Sequence, residues 1–108
     1  DPAVRARVAR LAARNDDVEL LAGALSDKES AVRLAALDAV AAAPAFSRPS
    51  RPQLAPLVER SLHAGDWLER RAAARAAVPH PELWADKGAR ALAPLKHDPS
   101  GFVREAVR

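Results

Sequence analysis

The chain has no cysteine, no methionine and no tyrosine, and only two tryptophans, two phenylalanines and four glycines in 108 residues. Without cysteine there is no disulfide and no thiolate nucleophile. That absence leaves the compartment open, with the cytoplasm favoured. So few glycines leave no Gly-rich phosphate loop and no Gly-x-Ser-x-Gly elbow. No apolar run reaches the roughly 20 residues that cross a bilayer, so no membrane partner is expected. Large side chains are scarce, so each buried residue contributes little, and a bulky globular centre is disfavoured.

What is present is alanine and arginine. Apolar residues make up 49% of the chain, enough for a globular core, and alanine dominates them. Alanine is the best helix former and lets helices approach closely. The net charge is +3 and its distribution is uneven. Residues 1–14 are basic. Residues 15–46 are acidic through Asp16, Asp17, Glu19, Asp27, Glu29 and Asp38, and residues 47–108 are basic again.

A motif recurs. Asp27-Lys28-Glu29-Ser30-Ala31-Val32-Arg33 matches Asp98-Pro99-Ser100-Gly101-Phe102-Val103-Arg104, with Arg six residues after Asp in both. Asp1-Pro2-Ala3-Val4-Arg5 is a shortened copy, and Asp66-Trp67-Leu68-Glu69-Arg70-Arg71 a degenerate one. Taking Arg5, Arg33, Arg71 and Arg104 as equivalent gives spacings of 28, 38 and 33 residues, the range of a two-helix repeat. Asp suits a helix N-cap and Pro the first turn. Three residues after each Arg stands Val8, Ala36, Ala74 or Val107, as one helical face requires.

A second helix type precedes each later motif. Val18, Leu21, Ala22 and Leu25 form one stripe, Leu54, Leu57, Val58, Ser61 and Leu62 another, and Ala89, Leu92, Ala93 and Leu95 a third. Pro56 and Pro94 should kink or shorten their helices, and Gly65 should stop one. The expected organisation is a single all-α domain over 1–108: helix 2–14, then hairpins 16–43, 52–78 and 86–108. A chain that opens on Asp1, has no methionine and closes on Arg108 inside a helical pattern is expected to be a piece of a longer protein. Phe102, Val103, Ala106 and Val107 read as one apolar stripe on the last helix, with one flank bare. Arg7, Arg10 and Arg14 give the first helix the polar outer face of a terminal cap.

The Asp-x5-Arg spacing, the Val before Arg and the small apolar residue three positions later resemble the HEAT-like repeat class, of the bacterial type seen in phycobilin-lyase-related proteins. Pro79-His80-Pro81-Glu82-Leu83-Trp84, followed by Asp98-Pro99-Ser100, also looks like a leucine-rich repeat variant. The spacings favour the HEAT-like reading. This resemblance covers nearly the whole chain and implies an α-solenoid, or superhelix of helical hairpins, acting as a non-catalytic protein-binding scaffold. The alternative is a nucleic-acid-binding module, with repair-type or bilin-lyase-type enzymes as remote variants. In such proteins the matching Asp and Arg form a structural ladder between repeats, which assigns Asp27, Arg33, Arg71, Asp98 and Arg104 to that role. No catalytic residue is assigned.

HEAT-like deoxyhypusine hydroxylases hold a di-iron centre through His-Glu pairs. Here the pairs are His63-Ala64, His80-Pro81 and His97-Asp98, so neither a metal nor another cofactor is expected. Trp67 and Trp84 sit beside leucine at helix ends and read as core residues rather than base-stacking platforms. Arg7, Arg10, Arg14, Arg70 and Arg75 are the candidate binding surface. Two and five residues after each ladder Arg, the outward positions run Arg7/Arg10, Ala35/Asp38, Ala73/Ala76. A groove for nucleic acid needs positive charge at every step, so such binding is expected to be weak and a protein partner is favoured.

Overall fold

The computed structural model describes residues 1–84 and 88–108. Every regular element among them is helical. Helix α1 (Pro2–Arg14) begins where the Asp1 carboxylate accepts the Ala3 amide at 2.9 Å, with proline in the first turn. It ends at Asn15, and Asp16 follows at φ 54°, a left-handed conformation that Asp tolerates better than most residues. Helix α2 (Val18–Leu25) is capped by Asp17, and α3 (Ser30–Ala42) stops before Pro44. Helix α4 (Arg51–Leu62) carries Pro52 in its first turn, and α5 (Trp67–Ala77) starts on an Asp66 cap. A 3-10 turn spans Pro81–Leu83. Then come α6 (Gly88–Leu92), a second 3-10 turn (Ala93–His97) and α7 (Gly101–Ala106).

The two internal prolines act differently. Pro56 lies inside α4 without interrupting it; it leaves only the Pro52 carbonyl without a helical donor. At Pro94 the α-helix gives way to a 3-10 turn, so the expected helix 86–96 is short and tightened. Its anticipated start at Asp86 lies outside the described residues, as does the Ala89 side chain. Gly65 does not stop α4. That helix ends at Leu62, and no glycine adopts positive φ among the described residues.

Two layers result. Helices α1, α3, α5 and α7 pack in sequence on one side, and α2, α4 and α6 on the other. Within each hairpin, α2 meets α3, α4 meets α5, and the 93–97 turn meets α7. The Cα extents are 34 × 29 × 18 Å. The thinnest dimension suits two helix layers separated by roughly 8–10 Å. The core is a sheet of small residues, with Ala9, Ala36, Ala73, Ala74 and Ala76 fully buried beside Leu21, Leu37, Leu54 and Val58.

Both terminal helices expose apolar side chains. On α7, Val103 and Val107 turn inward while Phe102 is exposed and stacks on Trp67 at 5.1 Å between ring centroids. Trp67 is therefore a surface residue; Trp84 packs against the core. On α1 the outer face is not wholly polar, because Val4, Val8 and Leu11 are exposed as well. Among the described residues no helix is long and apolar enough to cross a membrane.

Ala36 sits fully buried on α3, the helix that packs against both α1 and α5. Ala36→Leu should overpack this layer and lower stability by about 1–3 kcal/mol. Ala31→Leu, at an exposed site on the same helix, should stay within about 0.5 kcal/mol. Urea unfolding of the two variants measures the difference.

Candidate functional site

Four motif carboxylates make the same local bond. Asp1, Asp27, Asp66 and Asp98 accept the amides of Ala3, Glu29, Leu68 and Ser100, each two residues ahead, at 2.9–3.1 Å. These turns place the acid at the start of each motif helix.

The arginines run both backward and forward from there. Arg33 Nη1 donates to the Asp27 and Lys28 carbonyls at 2.8 and 3.1 Å, clamping its own hairpin turn. Its Nε and Nη2 reach Glu69 Oε1 in the next hairpin at 3.1 and 3.0 Å. Arg70 repeats the arrangement. Nη1 takes the Ala64 and Gly65 carbonyls, both at 2.9 Å, while Nε and Nη2 hold Asp98 at 2.8 and 3.0 Å. Arg5 pairs with Asp27 at 2.7 and 3.3 Å, and Arg104 donates to the Asp98 carbonyl. Arg33 and Arg70 thus bind their own turn through carbonyls and the following hairpin through a carboxylate, whereas among the described residues Arg5 makes the carboxylate link alone and Arg104 the carbonyl link alone. The within-motif pairs Asp27/Arg33 and Asp98/Arg104 meet at the Asp carbonyl, not at the carboxylate.

This geometry corrects the register. The third member is Arg70, not Arg71, and the spacings become 28, 37 and 34 residues. Arg71 instead lies 5.7 Å from the centre of the Phe102 ring. Arg70 correspondingly leaves the candidate binding surface, because its guanidinium is engaged with Asp98. The second hairpin turn has Ala64 where the first and third have Asp27 and Asp98. Glu69, buried on α5, supplies the missing acid and also accepts the Ser61 hydroxyl at 3.1 Å.

Counting from Arg70, the position five residues on is Arg75 rather than Ala76, which is buried. The exposed row across the layer is then Arg10, Asp38, Arg75, with Arg7 and Arg14 exposed on α1. Arg10, Arg14, Asp38, Ala39 and Ala42 line a cleft of about 420 Å³ between α1 and α3. Its floor is alanine and its rim carries both signs of charge.

A second polar cluster had no signature beyond the prolines flanking His80. His80 is buried, with Nδ1 2.7 Å from Glu82 Oε2 and Nε2 2.6 Å from the Val40 carbonyl. Its ring packs 5.0 Å from that of buried Phe46, whose amide donates to Glu82 at 3.2 Å. The longest loop, 44–50, is thereby fastened to the turn after α5. Asp16 holds the next residue of the loop through the Ser47 amide at 3.3 Å. Among the described residues no three His, Cys, Asp or Glu side chains gather into a group that could hold a metal ion. Comparison with protein-family models, curated proteins and solved structures finds no match to this chain.

The ladder makes two measurable statements. Arg33→Ala and Arg70→Ala should each lower stability by about 1–3 kcal/mol, since each strands a buried carboxylate. Arg71→Ala should cost less than about 1 kcal/mol, the scale of an exposed cation–π contact. Equal losses at Arg70 and Arg71 would reverse the register.

Acid should loosen the same contacts. The Asp27 carboxyl is held below its ordinary value of 3.8 by the Glu29 amide and then by Arg5. Asp98 is held down chiefly by Arg70. Burial pushes Glu82 up, but hydrogen bonds from His80 and from the Glu82 and Phe46 amides outweigh it, and its carboxyl ends below 4.5. Groups depressed on folding contribute stability that is complete above their unfolded values and lost as pH falls through the folded ones. The melting temperature should therefore fall steeply below about pH 4, and Asp98→Asn should flatten that fall. An acid limb unchanged in Asp98→Asn would remove Asp98 from this account.

Proposed function

We propose that this chain is a HEAT-like α-solenoid module that binds a protein partner without catalysis, across the outer face of α1, α3 and α5. The observation that carries this reading is the row Arg10, Asp38, Arg75 beside an alanine-floored cleft. Alternating charge around small apolar ground suits a polypeptide with complementary side chains. A nucleic-acid backbone would meet the Asp38 carboxylate midway along its path. The solenoid reading draws support from the recurring arginine link, which joins each hairpin to the next, and from the layered order of the helices. Its consequence is that the exposed positions are separable from the ladder that holds the stack.

The test uses Arg10→Glu/Arg75→Glu, two exposed changes expected to leave the melting temperature within a few degrees. Partner capture from the source organism's extract should be lost with this variant and kept with Arg48→Glu. Duplex DNA should bind weakly, with a log-affinity against log-salt slope shallower than about −3. Submicromolar DNA binding at physiological salt, abolished by Arg7→Ala/Arg10→Ala, would replace the protein-binding reading with the nucleic-acid one.

A further inference from the structure

We propose that His80 is a proton-dependent latch: as an imidazolium it ties the C-terminal end of α3 and the 44–50 loop to the turn after α5, and loss of one ring proton releases them. The observation behind it is a buried ring with an acceptor at each nitrogen. Nε2 lies 2.6 Å from the Val40 carbonyl and Nδ1 2.7 Å from Glu82 Oε2, and the side chain is 3% exposed. A carbonyl and an ionised carboxylate can only accept. Both ring nitrogens therefore carry hydrogen, which is the charged form. A neutral ring, in either tautomer, would set a nitrogen lone pair against an oxygen lone pair.

The surroundings favour that charge. Val40 stands in the last turn of α3, whose carbonyl end attracts a cation, and its carbonyl accepts the Ala43 amide as well. Glu82 Oε2 also accepts the Phe46 amide at 3.2 Å. Burial raises the Glu82 carboxyl, but the hydrogen bonds from His80 and from the Glu82 and Phe46 amides outweigh it and keep it below its ordinary 4.5. Glu82 is then ionised at neutral pH and brings no proton of its own. The other charged groups nearby act on the loop instead of the ring. Arg51, at the start of α4, donates to the Phe46 carbonyl at 3.0 Å, and Asp16, after α1, accepts the Ser47 amide at 3.3 Å. Among the described residues no charged side chain of α3, α4 or α5 is hydrogen-bonded to the imidazole.

The latch sits where the ladder does not reach. Arg33 and Glu69 join α3 to α5 near their N-terminal ends. Val40 and His80 join the same two helices at the opposite ends. Arginine stays charged throughout, whereas histidine changes charge in the physiological range. One end of the hairpin pair is thus fixed and the other conditional. Phe46 is 2% exposed and packs 5.0 Å from the imidazole. Proton loss sets a repelling contact beneath it, so the loop lifts while the Arg33 link holds. Stability that depends on a proton bound in the folded state is complete at low pH and lost as the pH rises. The Glu82 contribution has the opposite sign and is lost as the pH falls below 4.5. The latch is closed between these two losses.

The test is NMR on the 108-residue chain between about pH 5.5 and 9. Nitrogen shifts of the His80 ring should report two N–H groups at the acid end and one at the alkaline end. Amide shifts of 40–43 and 46–48 should move with the same midpoint, and order parameters in the loop should drop from about 0.85 to below about 0.6. Amides of 30–33 and 67–70 should stay in place. Glu82→Gln separates the latch from packing alone. Its side-chain amide can donate to Nδ1 and accept from Phe46 at once, so the loop should stay closed across the range with the ring neutral. A singly protonated ring at the acid end with the loop closed overturns the proposal, as do loop amides that fail to follow the ring. A pH response unchanged in Glu82→Gln overturns it too, as does unfolding of the whole chain in step with the ring. Should Glu82→Gln not fold, the wild-type titration decides alone. None of Arg10, Asp38 and Arg75 takes part, so the latch stands or falls apart from the proposed binding face.

Discussion

One guanidinium geometry holds the repeats in order. Arginine presents five donors in a rigid fork, and the fold divides them between two tasks. At Arg33 and Arg70, one nitrogen closes the hairpin turn behind by taking two carbonyls that have no helical partner. The other edge grips a carboxylate in the hairpin ahead. The carbonyls belong to residues five and six positions back, so the side chain reads its own turn geometry before it can reach its neighbour. A hairpin with a distorted turn would present the arginine wrongly. Such links set register more than they add net stability, because desolvating the charges offsets much of the attraction.

The need for such a link comes from the alanine-rich core. Alanine faces let α1, α3, α5 and α7 approach closely, but they slide past one another without large knobs to fix their relative position. Directional charged hydrogen bonds supply that missing specificity. Glu69 stands in as the acceptor where Ala64 occupies the position of Asp27 and Asp98: its buried carboxylate comes from the helix and accepts the Ser61 hydroxyl.

Much of this was legible in the chain. Asp27 and Arg33 recur as Asp98 and Arg104 with the same intervening length, and the alanine and leucine stripes locate α1 to α5 within a residue or two. The slip from Arg70 to Arg71 arose where two arginines adjoin and the turn is degenerate. The decisive signal was the spacing of four from Asp66 to Arg70, which repeats that from Asp1 to Arg5. Two other features depend on tertiary contacts and leave no periodic trace. His80 is buried because the 44–50 loop folds over it, and Trp67 is exposed because Phe102 rather than the core receives its ring. The apolar side of α1 was visible as Val4, Val8 and Leu11, yet its exposure depends on which helices lie alongside.

The ladder also constrains which charges can serve recognition. Arg5, Arg33 and Arg70 are engaged within the fold, so altering them for binding would disturb the stack itself. The charge that α1, α3 and α5 present to solvent comes instead from Arg7, Arg10, Arg14, Asp38 and Arg75. These positions can change without touching a carbonyl clamp or a carboxylate grip. Changing them would alter the surface charge at little expense to the packing, so on the proposed reading as a repeat module the residues that hold the stack and those that would bind are different ones.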